Sequence, residues 1–165
     1  SWRYEGMERY TINDVSRISG FTTRTLRSYI DKGLLEGVKD GGVWYFDAEK
    51  VGDFLGNPNV RPGITSKLNA QVFDFMLGGK RGGDRACVVL DLDIDLEEAK
   101  RISDFFCDMM NHMDVSHIEA NEGVGNGTCG ARFFMQKNGS RMRLVLSGEE
   151  EAVSSIMKAY YNSKQ

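Results

Sequence analysis

Two short helical patterns follow one another near the N-terminus, and they constrain the fold more than any other feature of the chain. Thr11 is a suitable N-cap for the first helix, and Gly20 is a typical C-terminal glycine for it. Thr22 caps a second helix that runs to about Asp31, where Gly33 ends it. Two short helices joined by a glycine-containing turn are typical of a helix-turn-helix.

A glycine turn between two β-prone runs follows the two helices. The runs occupy residues 38–46 and flank Asp40-Gly41-Gly42, which predicts a hairpin. Asp47 is a suitable cap for a further helix over residues 48–55, and another short helix is predicted over residues 66–77. This order predicts a mainly α winged helix-turn-helix domain.

A longer sequence pattern covers these elements. The stretch YTINDVSRISGFTTRTLRSYIDKGLL is followed closely by GGVWYFDAEKVGDF. Its most specific parts are the runs 24–27 and 32–35, with Tyr29 between them. Residues 10 to about 55 resemble the DNA-binding domain of the MerR family of transcription regulators. The resemblance implies a domain that binds double-stranded DNA, and we recognise no family in the C-terminal half.

The chain departs from that family pattern at three places. The family usually has an aromatic residue where Ser28 stands, and an acidic residue where Ile30 stands. At the wing, Gly42-Val43-Trp44-Tyr45 replaces Gly-Tyr-Arg-Tyr, so this chain lacks the arginine with which the family contacts a phosphate. The domain is also similar to the phage-excisionase-like relatives of the family.

The outward face of the second helix carries the main candidate DNA contacts. A recognition helix uses short polar and basic side chains near its N-terminus to reach base edges and phosphates. Arginines three positions apart lie on neighbouring parts of one helical surface, and each can bind guanine or a phosphate with two hydrogen bonds. The predicted contacts on this face are Thr22, Thr23, Arg24, Arg27 and Ser28.

Four further residues are candidate DNA contacts. The resemblance implies that Tyr29 touches the DNA backbone, and the alternative is a half-buried ring packed on the first helix. Lys39 is the basic residue nearest the wing turn and is expected to bind phosphate. Trp44 is either a wing contact or a hairpin residue packed on the helices. Arg17, on the first helix, is either a backbone contact or a solvated charge.

Charge and glycine content divide the chain in two. Residues 78–84 contain four glycines and no apolar residue, which is typical of a flexible linker. Residues 1–80 have a net charge of +1 and residues 81–165 a net charge of −4, so only the first part is suited to face a polyanion. The predicted organisation is a DNA-binding domain at 7–77, a glycine-rich linker at 78–85 and a second domain at 86–165.

The second domain is predicted to be a small α+β unit with the order β-α-β-β-β-α. Its predicted strands lie at residues 87–94, 115–120, 131–136 and 141–146, and its helices at 96–112 and 149–161. Asn138-Gly139 is a strong signal for a two-residue hairpin turn. We expect a four-stranded sheet with helices on one face, and a role in dimerisation or in sensing an effector.

We find no convincing catalytic or metal site in the second domain. Cys107, His112, His117 and Cys129 are metal-binding residue types, but their spacing matches no compact zinc signature. A buried cysteine and two surface histidines are the preferred interpretation. No nucleophile is paired with a base in a pattern typical of catalysis. The sequence therefore predicts a protein that is not an enzyme and has no cofactor or metal.

Two other features of the second domain each have a structural and a functional interpretation. Alternating aspartates share one face of its first strand: Asp91, Asp93 and Asp95. We interpret this face as solvated, and the alternative is a weak cation site. Arg141 and Arg143 share a face that could meet an anionic effector, DNA or these aspartates, and we prefer pairing with the aspartates across the sheet. The glycine-rich loop at 122–130 leads into a strand, which disfavours a nucleotide site and leaves a surface loop or a lid over an effector pocket.

These features together predict a cytoplasmic transcription regulator. No apolar run approaches the ~18 residues that a membrane span needs, so we expect no membrane association. Three irregularly spaced cysteines fit a reducing compartment. We expect a homodimer on a pseudo-palindromic site, because one small DNA-binding domain, here called the reader, rarely gives enough specificity alone. An unidentified small-molecule effector is a further candidate partner. The alternative is an excisionase-like architectural DNA-binding protein with a C-terminal protein-interaction module.

Overall fold

The computed structural model describes residues 9–78, 82–114 and 130–164, with only the backbone for 110–114. These residues form an N-terminal helix-turn-helix region and a C-terminal region built on a sheet. The elements are β1 (Arg9–Thr11), α1 (Ile12–Ser19), α2 (Thr23–Asp31), β2 (Val38–Asp40), β3 (Val43–Asp47), α3 (Ala48–Gly56), α4 (Arg61–Met76), β4 (Arg85–Asp93), α5 (Leu96–Asp114), β5 (Ala131–Asn138), β6 (Arg141–Glu149) and α6 (Glu150–Ser163). Within the described ranges, no helix combines the length and apolarity needed to cross a membrane.

The first two helices begin and end where their capping residues predict. The Thr11 side chain accepts a hydrogen bond from the Asp14 N–H, and the Asp14 carboxylate accepts one from the Thr11 N–H, which forms a capping box. Gly20 closes α1 with a φ of 79°. Thr22 Oγ1 accepts from the Thr25 N–H at 3.1 Å and caps α2. The predicted helix-turn-helix is therefore confirmed.

Helix α4 is longer than predicted. It begins at Arg61 rather than at residue 66, and Pro62 lies in its first turn. A proline costs no helical hydrogen bond there, because the first N–H groups of a helix have no partner within it. Val60, Ile64 and Leu68 are buried and tie this helix to the core. The predicted start at residue 66 was wrong, because the helix accommodates Pro62 in its first turn.

The C-terminal sheet has β6 at its centre, and β6 is buried on both faces. The strand order is β4-β6-β5, with antiparallel pairing throughout. Helices α5 and α6 pack on one face, as Phe106 against Phe133 illustrates, and α4 packs on the other. The described residues contribute three strands to this sheet. The fourth strand, predicted at 115–120, lies outside the described residues.

The two halves of the chain share one hydrophobic core. Helices α1 and α3 contact β5, and α1 also contacts α5. Side-chain hydrogen bonds that cross between the halves include Tyr10 Oη to Asp104, Gln71 Nε2 to Ser147 Oγ and Gln136 Nε2 to Thr65 Oγ1. The N-terminal region therefore rests directly on the C-terminal sheet, and residues 78–85 connect two parts that are already in contact.

Candidate nucleic-acid interface

Helix α2 is held by one buried leucine and by an aromatic cluster. Leu26 is fully buried. The Tyr29 ring meets Phe21 and Phe54 edge to face, with centroid distances of 5.3 and 5.5 Å. Such contacts add to the stabilisation from burial alone. The Tyr29 ring therefore packs on the turn and on α3, and it fixes the side of α2 that faces the protein.

The opposite side of α2 carries the two arginines predicted from the sequence. Arg24, Arg27 and Ser28 are exposed, and they project away from Leu26 at helical spacing. Neither arginine forms an ion pair within the part of the chain that the structure describes. Two unpaired guanidinium groups on one exposed helical face can bind phosphates or guanine edges. Asp31 is also exposed on this face, and the sequence reasoning passed over it.

The two threonines at the start of α2 have different roles. Besides accepting from the Thr25 N–H, the Thr22 hydroxyl donates to Thr25 Oγ1 at 3.0 Å. The Thr22 side chain is thus engaged in capping the helix. Thr23 is the first residue of α2 and is half-exposed. Of the two, Thr23 has the side chain better placed to contact a ligand.

The wing is a tight hairpin that presents one lysine. Gly41 and Gly42 have φ values of 57° and 81°, the conformation of a type I′ turn, which matches the twist of the strands. Lys39 is exposed and lies opposite Trp44 in the ladder, with Nζ 5.8 Å from the centroid of the Trp44 ring. Trp44 is half-buried and stacks on Phe46 at 6.3 Å. The Trp44 ring therefore holds the Lys39 ammonium group through a cation–π contact.

The structure does not bring Arg17 together with the residues of α2. Arg17 is half-buried on α1, near α5, and its charge acts on the buried thiol of Cys107. Burial raises the pKa of Cys107 well above its ordinary value, and the Arg17 charge partly opposes that rise. Arg17 thus lies close enough to α5 for its charge to act on Cys107.

Two basic residues near the reader were missed by the sequence reasoning. The Arg9 guanidinium lies 4.4 Å from the centroid of the Tyr45 ring, beside β3. Lys32 Nζ lies 6.0 Å from the centroid of the Tyr29 ring at the end of α2. Lys32 belongs to the run on which the family resemblance depends, and this could have singled it out. Arg9 lies before the resemblance begins, so no local signal marked it.

The predicted pairing of charges on the C-terminal sheet is confirmed for one pair. Arg143 donates to both carboxylate oxygens of Asp91, with Nε–Oδ1 at 2.7 Å and Nη2–Oδ2 at 3.0 Å. These hydrogen bonds lower the pKa of Asp91. Asp93 lies opposite Arg141 in the ladder. On the aspartate-bearing face of β4, Asp91 is thus paired with Arg143 across the sheet.

The structure describes only part of the remaining sites predicted from the sequence. Cys107 is buried, as the preferred interpretation required. His117, Cys129 and most of the loop at 122–130 lie outside the described residues, and so does the side chain of His112. Among the residues that are described, no group of three or more His, Cys, Asp or Glu could hold a metal ion.

The comparison with protein families concerns the N-terminal region alone. Residues 10–55 match the model of the MerR HTH family regulatory protein. Searches of curated proteins and of solved structures gave no match. The matched segment contains both helices of the helix-turn-helix, the wing and most of α3. Residues 10–55 of this chain are therefore similar to the helix-turn-helix domain of MerR-family regulators.

Proposed function

We propose that the protein is a transcription regulator whose helix α2 enters the major groove of DNA. The observation that carries this proposal is the pair of exposed arginines, Arg24 and Arg27, on the side of α2 opposite the buried Leu26. Arginine binds the O6 and N7 atoms of guanine with two hydrogen bonds, the commonest specific contact in that groove. The MerR-type domain itself supports DNA-binding transcription regulation.

The other contacts follow from where the remaining side chains lie. We assign Lys39 to a phosphate beside the groove, with Trp44 as its support in the wing. Thr23 and Ser28 would make neutral contacts next to the arginines. Tyr29 orients α2 through its ring and stays close enough to the surface to reach the DNA backbone.

We further propose that the regulator acts as a homodimer. One reader contacts few base pairs, and two readers related by symmetry bind two half-sites of a pseudo-palindrome. Helix α4 supports this idea, because three large apolar side chains at its end are 62–75% exposed: Phe73, Met76 and Leu77. Contiguous exposed apolar residues are typical of a surface that a partner covers.

DNA recognition can be tested without a known operator. The full chain is used to select bound sequences from a random duplex pool, and affinities for the selected sequence are then compared. Arg24→Ala and Arg27→Ala should each cost about 1–3 kcal/mol if the arginine reads a base. Arg141→Ala removes the same charge from an exposed site on β6 and should change affinity little. Unchanged affinity in both α2 variants would refute the placement of the recognition helix.

The dimer and the architectural alternative make opposite predictions for the selected sites. A symmetric dimer selects inverted half-sites, whereas an excisionase-like factor binds direct repeats cooperatively. Light scattering of the full chain should show a dimer that the double variant Phe73→Ser/Met76→Ser converts to a monomer. Leu96→Ser, at another exposed apolar residue, is the control. A monomeric wild type that prefers direct repeats would favour the architectural protein.

A further inference from the structure

A polar groove lies where α4 ends and β4 begins. Its volume is about 570 Å³, within the range of small-molecule sites. Gln71 and Ser147 are the buried residues that line it, and both are almost fully covered. Arg85, Arg132 and Asp74 also line it. The groove thus combines buried hydrogen-bonding groups with charged side chains and is separate from the arginines of α2.

Gln71 lines this groove, and one of its hydrogen-bonding atoms has no partner among the described residues. Its Nε2 donates to Ser147 Oγ at 2.8 Å and to the Arg132 carbonyl at 3.2 Å, and these two bonds fix the orientation of the amide. Reversing the amide would place its oxygen against the Arg132 carbonyl. With this orientation, Oε1 is buried and meets no donor among the described residues. A buried acceptor in this state is rare and calls for a donor.

The charges that line the groove favour an anion. The Arg132 guanidinium is 4.0 Å from the Asp74 carboxylate, at the limit of an ion pair, and both side chains are partly exposed. Arg85 is half-buried and forms no ion pair within the described ranges. The groove lining therefore carries two guanidinium groups and one loosely held carboxylate. Arginine forks bind carboxylates through two parallel hydrogen bonds, which suits a small organic acid.

We propose that this groove binds a small carboxylic acid that carries a neighbouring hydroxyl or amino group. Arg85 and Arg132 bind the carboxylate, and the hydroxyl or amino group donates to Gln71 Oε1. Gln71 lies on α4, the helix whose Ile64 and Leu68 are buried in the shared core, so a ligand here contacts the element that joins the reader to the sheet. The inference deepens the proposed function by naming the class of effector, and it rests on that function only for the regulatory role.

Three four-carbon acids test the proposal, because they differ at one position. L-Malate carries a hydroxyl group, L-aspartate an amino group and succinate neither. Each is titrated into the full chain at constant ionic strength, and the side-chain amide signal of Gln71 is followed by NMR. We expect saturable binding of malate or aspartate that is at least about tenfold tighter than that of succinate, because only succinate leaves Oε1 unpaired.

Variants separate the role of each group. Arg85→Met and Arg132→Met should each weaken binding about tenfold or more, since a charge-assisted fork is lost. Arg141→Met, at an exposed arginine outside the groove, should leave binding unchanged. Gln71→Met should abolish the preference for malate or aspartate over succinate; because this variant lacks the Gln71 amide, its binding is followed through the guanidinium NMR signals of Arg85 and Arg132. Arg85→Lys keeps the charge but loses the fork, and it is a milder test if a methionine variant unfolds.

Each result decides one part of the proposal. It is overturned if neither malate nor aspartate shifts the Gln71 amide saturably, or if binding persists in the Arg85→Met/Arg132→Met protein. Equal binding of succinate would refute the role of Gln71. DNA affinity measured without any acid tests the proposed function separately, so failure of one does not imply failure of the other.

Discussion

The hydroxyl group of Tyr10, on β1, donates a hydrogen bond to the carboxylate of Asp104, on α5, although the two residues are 94 positions apart. Both side chains are only 2% exposed. Lys100 Nζ contacts the second carboxylate oxygen at 2.9 Å. A buried carboxylate thus receives one donor from each half of the chain. This polar contact, inside a largely apolar interface, defines how the reader sits on the C-terminal half.

Removing the Tyr10 hydroxyl group tests this contact. Tyr10→Phe keeps the ring but leaves a buried Asp104 oxygen without its donor, so we expect a loss of about 1–3 kcal/mol in the free energy of unfolding. Chemical denaturation measures it. Tyr161→Phe removes a hydroxyl group from a ring that is 52% exposed and should change stability little. Equal stability of the wild type and Tyr10→Phe would show that the bond contributes nothing.

The same residue predicts a loss of stability at alkaline pH. Burial, followed by the hydrogen bond to Asp104, raises the pKa of Tyr10 above its ordinary value of 10.0. Above that pH the unfolded chain releases the proton that the folded chain retains, so stability falls as pH rises. The stability difference between the wild type and Tyr10→Phe should therefore shrink above pH 10.0. Denaturation at a series of pH values checks this, and a constant difference would contradict it.

Two glycines of the reader should respond oppositely to alanine. A Cβ on Gly37 would lie 2.5 Å from the buried Phe46 ring and 2.7 Å from the Tyr45 carbonyl, so Gly37→Ala should destabilise the protein by about 1–3 kcal/mol. A Cβ on Gly52, inside α3, would meet no atom within 4 Å. Gly52→Ala should stabilise the protein by about 0.5–1 kcal/mol through helix propensity. Thermal unfolding of both variants tests the packing of the wing.

The wing lysine should contribute affinity without specificity. Lys39→Ala should weaken binding to all duplexes alike and lower the slope of log affinity against log salt by about one unit, because one phosphate contact is lost. Fluorescence anisotropy at several salt concentrations gives the slope. Lys158→Ala, on the exposed surface of α6, is the matched control. A loss confined to one sequence would instead indicate that Lys39 reads a base.

The ion pair on the C-terminal sheet should be visible in the titration of Asp91. Hydrogen bonds from Arg143 lower its pKa below the ordinary 3.8, and the charge of Arg141 adds a smaller effect. Arg143→Met should raise the pKa of Asp91 toward 3.8, and Arg141→Met should raise it less. Because the pKa of Asp91 is lower in the folded state, the ion pair stabilises the fold above pH 3.8. This stabilisation is lost as the pH falls through the folded-state pKa. NMR of the carboxyl carbon measures both shifts.

The sequence alone was sufficient for the features that depend on near neighbours. Thr11, Thr22 and Asp47 cap helices through hydrogen bonds to residues three positions away. Gly20 and Gly139 adopt the positive φ values that their helix end and hairpin turn require. The exposed arginine face of α2 also follows from helical spacing. These signals can be read because each depends on a short segment and on the conformational preferences of its own residues.

Only the tertiary structure decided which distant surfaces meet. The sequence divided the chain at a glycine-rich stretch, but it contained no signal that Tyr10 would reach Asp104 or that Gln71 would be buried against Ser147. Pairings of this kind depend on which faces of α1, α4 and the sheet pack together, and apolar periodicity does not specify a partner. The same packing turned Arg17 toward α5 and formed the groove around Gln71. The sequence by itself thus determined the helices and the wing of the N-terminal region, whereas the tertiary structure determined the surface of the C-terminal half on which this region packs.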